Sequence, residues 1–260
     1  MIEFHVLGSL EVVDPDGPVA LGAPKQRALL AVLLLHRGEV VSSDRLVDEI
    51  WGERPPASAV KLVQGYVSSL RRVLDDGLLV TEGRGYVLQV APGQLDVDRF
   101  EALVAQGRGA LEGGDGLTAA AVLREALRLW RGPALADFAY EPFAQSEIAR
   151  LDESRFAALE DRIDADLASG EQARLVSEIE ALVREHPVRE RLRGQLMLAL
   201  YRCGRQADAL QAYRDARREL LDGLGIEPGR ALQEVERAIL AHDPALEPPG
   251  RPTAQRSPAT

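Results

Sequence analysis

The character of the sequence changes near Pro92 and Gly93, and this change limits the folds open to the chain. Before this point, short β-type stretches are mixed with three helical patterns; after it, Ala- and Leu-rich helical patterns follow one another almost without a break. Strands beside a few helices, and then helices alone, predict an α+β domain followed by an all-α domain. We expect domains over residues 1–92 and 96–243, and a disordered Pro-rich tail over residues 244–260.

The first domain has the element order of a winged helix-turn-helix with an extra sheet in front. Its opening stretches alternate apolar and polar residues, and the turn at residues 14–17 predicts a small antiparallel sheet. Ser42 and Ser43 are N-cap residues for a helix. The helical patterns cover residues 24–36, 44–51 and 59–74. A glycine-rich turn at residues 82–85 between two apolar stretches then predicts a β-hairpin, which is the wing of this fold.

Composition excludes several classes of protein. The net charge is −10 and 46% of residues are hydrophobic, which is typical of a globular protein with a buried core. The apolar runs are far shorter than the roughly 20 residues of a membrane span, and the N-terminus lacks a signal-peptide pattern, so we expect a cytoplasmic protein. One cysteine and four histidines without ligand spacing argue against a metal site. No cofactor is indicated.

The third helical pattern, residues 59–74, has one apolar face and one polar face without acids. At about 100° per residue, its apolar residues fall within half of the circumference. The other half holds Lys61, Gln64, Gly65, Ser68, Ser69, Arg71 and Arg72. Phosphates repel carboxylates and attract Arg or Lys, and Gln or Arg can hydrogen-bond to base edges in the major groove. This pattern favours DNA contact; a solvated face that happens to lack acids is the alternative.

Four further positions are candidates for the same surface. Gly65 costs about 1 kcal/mol in a helix interior relative to alanine, and it would allow close approach to the backbone, although a neutral accident is equally compatible. Arg84 lies at the hairpin tip, where a wing touches a phosphate or the minor groove. Lys25 and Arg27 lie in the first turn of a helix, where cations oppose the helix dipole, and a nearby phosphate would offset this penalty.

Several motifs in order resemble the SARP-type transcriptional activators, the antibiotic regulatory proteins of actinobacteria. The matching segments are residues 22–30, 44–52, 63–72 and 83–86. The resemblance covers nearly the whole chain and implies an OmpR-like winged helix followed by an all-helical bacterial transcriptional activation domain. One position departs from the pattern, because members often carry arginine where this chain has Ser69. This departure leaves the target sequence open.

The resemblance implies a sequence-specific activator that binds direct repeats in promoter DNA as a dimer and recruits RNA polymerase. It implies control of antibiotic biosynthesis genes and a place at the nucleoid. Gln64 and Arg71 are then candidates for base reading and Arg72 for a phosphate contact. The loop over residues 53–59 and the helical domain are candidate polymerase contacts. Larger relatives carry a nucleotide-binding module after the helical domain, so the chain is either a small member or a fragment.

The second half has helical patterns that resemble tetratricopeptide units. A pair flanks Gly204, with small residues and Tyr213 at the positions where paired helices approach. The patterns cover residues 97–111, 118–130, 141–167, 172–185, 188–202, 206–221 and 229–241. Such stacks leave a groove for another protein, although Leu and Ala stripes are by default core.

The sequence contains no motif that indicates an enzyme. Phosphate-binding loop, nucleophile-elbow and zinc-protease patterns are absent. The acids over residues 160–166 crowd one helix, and with arginines between them we interpret them as a solvated face.

A competing function comes from the charge of residues 1–92, which hold 9 Lys and Arg against 12 Asp and Glu, a net of −3. It is a tetratricopeptide-like adaptor whose winged helix no longer binds DNA.

Overall fold

A computed structural model of the chain describes residues 2–74 and 77–247. Their contacts group into two compact units. One holds the residues up to Val104 together with Glu125–Phe156, and the other holds Ala105–Arg124 together with the residues from Ala157 on. The predicted fold class, a winged helix-turn-helix with a leading sheet followed by a tetratricopeptide-like helical region, is confirmed.

The leading sheet consists of three short antiparallel strands in sequence order. They are β1 (Glu3–His5), β2 (Glu11–Asp14) and β3 (Gly17–Pro18). Asp14 closes the predicted turn, because its Oδ1 accepts hydrogen bonds from the backbone N–H groups of Asp16 (2.8 Å) and Gly17 (3.0 Å). The antiparallel sheet predicted from the alternation and the Asp-Pro-Asp-Gly turn is therefore present.

Three helices form the core of the first unit. They are α1 (Pro24–Leu35), α2 (Ser43–Trp51) and α3 (Ala59–Arg71). Every residue of α1 from Ala28 to Leu34 is buried, which is the pattern of a helix covered on all sides. Ser42 caps α2 as predicted, since its side chain accepts a hydrogen bond from the Arg45 N–H at 3.1 Å. The helix α3 packs against both α1 and α2.

The predicted wing hairpin is present, and it forms part of a three-stranded sheet. The hairpin strands are β5 (Leu79–Glu82) and β6 (Gly85–Leu88), and a further strand, β4 (Val41–Ser42), pairs with β6 on its other side. The order is β4-β6-β5, so β5 lies at the edge. A two-residue strand is too short to show alternation, and for this reason no sequence pattern indicates β4.

A buried carboxylate ties the leading sheet to the start of the next helix, α4 (Asp96–Glu112). Asp96 is 3% exposed. Its carboxylate accepts hydrogen bonds from the N–H groups of Val6 (2.9 and 3.0 Å) and Leu7 (3.0 Å). Burial raises the pKa of Asp96, although these two backbone donors act to lower it. The hydrogen bonds thus satisfy both the acid and two backbone donors that are remote in sequence.

Residues between the later helices pack on the same loop. The Arg131 N–H donates to the Leu7 carbonyl (2.8 Å), and the Leu135 N–H donates to that of Val6 (2.9 Å). Asp137 lies in a short 3-10 helix and accepts from the Leu10 N–H at 3.1 Å. These contacts explain why Glu125–Phe156 group with the first unit, whereas the change of sequence character suggested a division at residues 92–96.

The helices of the rest of the chain follow the predicted patterns within a few residues. They are α5 (Gly116–Arg128), α6 (Pro142–Ala168), α7 (Gln172–Glu185), α8 (Glu190–Arg202), α9 (Gln206–Leu224) and α10 (Arg230–Leu240). In the second unit, α8 packs against α7, α9 and α10. Ala209, Tyr213 and Ala216 of α9 are buried, as the tetratricopeptide-like pattern predicts, whereas Ala207 of the same pattern is exposed.

The interpretation of the α6 acids as a solvated face is wrong. Asp161, Arg162 and Asp166 are all buried. Asp161 pairs with Arg108 and Arg191, each at 2.6 Å. Arg162 pairs with Asp166 at 3.0 Å and also with Glu178. Burial acts to lower the pKa of Arg162, but the hydrogen bonds to Glu178 and Asp166 raise it overall. Asp161 thus joins α6 to α4 and α8 through ion pairs, and Arg162 joins it to α7.

Part of the predicted disordered tail has regular structure. Pro244–Leu246 form a short 3-10 helix, and Arg202 Nε donates to the Leu246 carbonyl at 2.7 Å. The remainder of that prediction, residues 248–260, lies outside the described residues.

We predict that Asp96→Ala lowers the free energy of unfolding by about 2–4 kcal/mol, because two buried N–H groups lose their acceptor. Glu112→Ala is the matched control, since Glu112 is an exposed acid at the other end of α4, and it should change stability by less than about 0.5 kcal/mol. Urea unfolding measures both. Equal effects of the two substitutions would contradict the anchoring role of Asp96.

Candidate nucleic-acid interface

The helix α3 presents two chemically distinct faces. Ala59, Val63, Val67 and Leu70 are buried, at intervals of four, four and three residues. The exposed face brings together most of the predicted contact residues, which are Lys61, Gln64, Gly65, Ser68 and Arg72. Val60, predicted as apolar face, is 45% exposed, because Ala59 takes the inward position in the first turn.

Ser69 and Arg72 form a local unit at the end of this face. Ser69 is half-buried, and its Oγ accepts a hydrogen bond from Arg72 Nη2 at 3.0 Å. Arg72 Nε also contacts the Ser68 carbonyl at 3.4 Å. Both contacts lie within α3, so the Arg72 guanidinium stays on the exposed face of the helix. A guanidinium has five N–H donors, and those not used here remain for a phosphate.

Arg71, predicted to read bases beside Gln64, has two acceptors on the wing. Its Nε donates to the Leu79 carbonyl at 2.8 Å, and its Nη2 donates to Thr81 Oγ1 at 2.7 Å. Both acceptors belong to β5, so the guanidinium is directed at the wing. The sequence could not indicate this, because the cation that suits a phosphate also suits a backbone carbonyl.

The wing tip presents Arg84 on a backbone that α2 holds in place. The Arg84 carbonyl accepts hydrogen bonds from Ser43 N–H and Ser43 Oγ, each at 3.2 Å. Gly83 has a φ of 59°, which favours glycine, and a Cβ on Gly85 would lie 2.5 Å from the Val41 carbonyl oxygen. Within residues 2–74 and 77–247, the exposed Arg84 side chain makes no hydrogen bond or ion pair.

Lys25 and Arg27 have partners within the protein. Lys25 Nζ donates to the Ile50 carbonyl at 2.6 Å, near the C-terminal end of α2. Arg27 donates to the Leu10 carbonyl at 2.7 Å and forms an ion pair with Asp137. Asp137 thus supplies the negative charge that the sequence interpretation assigned to a phosphate. The structure therefore gives these two cations a role in holding unit 1 together.

Two further observations bear on the kind of site. In the described part of the chain, no group of three or more His, Cys, Asp or Glu side chains is placed to hold a metal ion. In the part of the chain that the structure describes, no helix is both long enough and apolar enough to cross a membrane.

Comparison with known proteins places these elements in one class. The model of a family described as "Transcriptional regulatory protein, C terminal" matches residues 17–88, and that of the "Bacterial transcriptional activator domain" matches residues 95–240. A winged helix followed by such a domain defines the class of OmpR-like transcription regulators.

Individual relatives agree with this class. Regulatory protein AfsR of Streptomyces coelicolor is 46% identical over 260 residues, which is 100% of this chain and 26% of AfsR. Regulatory protein DnrI of Streptomyces peucetius is 39% identical over 257 residues, covering 95% of this chain and 94% of DnrI. The structure of Mycobacterium tuberculosis EmbR in complex with a low-affinity phosphopeptide matches with a TM-score of 0.89 at 36% identity. It covers 96% of this chain and 66% of that one.

The chain belongs to the SARP family of transcriptional regulators, as the sequence motifs predicted. It spans about a quarter of the length of the AfsR proteins that it matches.

We predict that Gly65→Ala raises the stability of the protein and weakens its binding to DNA. A Cβ at Gly65 meets nothing within 4 Å, so alanine should stabilise the helix by about 0.5–1 kcal/mol. The added methyl group lies on the exposed polar face and should weaken DNA binding about fivefold or more, equivalent to about 1 kcal/mol. Urea unfolding and fluorescence anisotropy measure the two effects.

The control for this substitution is Gly109→Ala. Gly109 lies inside α4 and is exposed, and a Cβ at this position also meets nothing within 4 Å. It should gain similar stability without changing DNA binding. Unchanged DNA affinity in Gly65→Ala would show that nothing approaches the α3 backbone at this position.

Proposed function

We propose that this protein is a sequence-specific DNA-binding transcriptional activator that controls antibiotic biosynthesis genes. The observation that carries the proposal is the exposed, acid-free face of α3 beside a wing that presents Arg84. A helix of this width fits the major groove, and cations without neighbouring acids suit the phosphates on either side of it. Membership of the SARP family supports the same conclusion.

The contacts of the side chains suggest which residues of this surface bind bases and which bind the DNA backbone. Gln64 is the proposed base reader, because its amide can pair with an adenine edge. Lys61, Ser68 and Arg72 are proposed to hold phosphates, and Arg84 to contact the backbone or minor groove beside the wing. Ser69 orients Arg72 through its hydroxyl group. Lys25 and Arg27 are left out of the proposed surface, since both have acceptors within the protein.

The partners follow from the resemblance to the family. Direct repeats one helical turn apart would place two protomers side by side on one face of the duplex, as a dimer on DNA. We propose that RNA polymerase is recruited through residues 53–58, which precede α3, and through the helical region. We further propose a cytoplasmic protein associated with the nucleoid, without enzymatic activity or a cofactor.

We predict a steep salt dependence of DNA binding. Lys61→Ala, Arg72→Ala and Arg84→Ala should each flatten the slope of log affinity against log salt by about one unit, because each removes one phosphate contact. The measurement is a salt titration on a duplex identified by footprinting the DNA that flanks the gene. Arg218→Ala is the control, since Arg218 is an exposed cation of α9 in the other unit, and it should leave the slope unchanged.

The same titration decides between an activator and an adaptor. Net charge −3 over residues 1–92 is the observation that favours an adaptor whose winged helix binds protein. If the wild-type protein shows no preference for its own promoter region over random duplex at low salt, the activator proposal fails.

Recruitment of polymerase has a separate test. Adding the protein to a template with the footprinted promoter and purified RNA polymerase holoenzyme should increase the transcript. The Gln64→Ala variant is the control, because it should lose specific binding while keeping the helical region intact. A transcript level that does not change when wild-type protein occupies the promoter would contradict activation by recruitment.

A further inference from the structure

Arg71 connects the recognition helix α3 to the wing. It is the last residue of α3, and its guanidinium bonds to two positions of one strand, the Leu79 carbonyl (2.8 Å) and Thr81 Oγ1 (2.7 Å). The bonds leave from Nε and Nη2, on one edge of the planar guanidinium. A lysine at this position would have one point charge and no such fork.

The Leu79 carbonyl requires a donor from outside the wing sheet. Strand β5 lies at the edge of the sheet, with β6 as its only strand neighbour among the described residues. The Leu78 carbonyl accepts from the Gln89 N–H at 2.7 Å, on the β6 side. Successive carbonyls of a strand point to opposite sides, so the Leu79 carbonyl faces away from β6. Arg71 therefore supplies a donor where an edge strand has none.

The hairpin is thus held from both sides. On one side Ser43, the first residue of α2, donates twice to the Arg84 carbonyl. On the other side Arg71 of α3 holds β5 within three residues of Arg84. Arg72, the next residue along the chain, makes its contacts inside α3 and none of this kind.

We propose that Arg71 is a positioning residue, which fixes the wing relative to α3 so that Arg84 and the polar face of α3 meet DNA as one surface. This inference rests on the proposed function for its effect on DNA. Its structural part, the attachment of the wing by Arg71, can be tested without DNA.

The test without DNA is hydrogen exchange of the amides of residues 79–88 in the full chain. Arg71→Ala should accelerate their exchange about tenfold or more, because a charged donor with two acceptors is lost. Thr81→Val removes only the hydroxyl acceptor and keeps a β-branched residue in the strand, so it should give a smaller acceleration of about threefold. Arg72→Ala is the matched control and should leave these amides unchanged. Unchanged exchange in Arg71→Ala overturns the inference.

The test with DNA uses a duplex that the wild-type protein selects from a randomised library. Arg71→Ala should weaken binding about tenfold while selecting the same sequence. Arg71→Lys should resemble Arg71→Ala, since the charge remains but the fork is lost. The Arg84→Ala substitution should cost much less affinity in the Arg71→Ala background than in the wild type, because a released wing no longer places Arg84 on the duplex.

The opposite results identify a base reader. Three results together would show that Arg71 contacts a base and would overturn the positioning role. Arg71→Ala would change the selected sequence at one position, and its loss of binding free energy would add to that of Arg84→Ala. Thr81→Val would change neither DNA affinity nor amide exchange. If Arg71→Ala does not fold, Thr81→Val and Arg71→Lys decide the question with the same measurements. If the wild type selects no sequence, the proposed function fails, and the exchange measurements alone decide whether Arg71 holds the wing.

Discussion

The first unit depends on the buried carboxylate of Asp96. A carboxylate that leaves water must find hydrogen-bond donors, and here the N–H groups of Val6 and Leu7 supply them. The loop that follows carries the Leu10 carbonyl, which accepts from Arg27 of α1, and the Leu10 N–H, which donates to Asp137. The leading sheet, α1 and a segment more than 100 residues later therefore meet in one set of polar contacts. Because α3 packs on α1, the position of the helix that we propose to face DNA depends indirectly on this set.

These contacts also explain where sequence and structure divide the chain differently. The change of character near residue 92 reports local composition, and it separates a mixed region from a helical one. The hydrogen bonds that Asp96 and Asp137 accept from the loop between β1 and β2 cannot be recognised as a periodic sequence pattern, because each joins residues about 90 to 130 positions apart. A chain cut after residue 92 would lose both acids. The boundary of composition is thus not a boundary of packing.

Much of the fold could be predicted because its signals are local. The faces of α3 follow from helical periodicity, and the caps and turns follow from Ser42 and Asp14. Whether an individual charged side chain is buried in an ion pair or exposed to solvent could not be predicted, because an arginine beside acids has the same local sequence pattern in both cases. In α6 the partners that decide it, such as Arg108 and Glu178, come from other helices. Arg71 is the corresponding case at the candidate site, where its guanidinium donates to a carbonyl of β5.

Because this protein is acidic, the proposed binding to DNA has to rely on the placement of individual charges rather than on overall charge. At physiological ionic strength, charges more than about 8 Å apart are largely screened, so the net −3 of residues 1–92 matters less than the charges that reach the phosphates. Few cations are available for this purpose, since Lys25, Arg27 and Arg71 have acceptors within the protein. Three cations are thus bound to acceptors on other elements of the protein. The proposed DNA surface therefore rests on a small positive patch, with Lys61, Arg72 and Arg84 exposed.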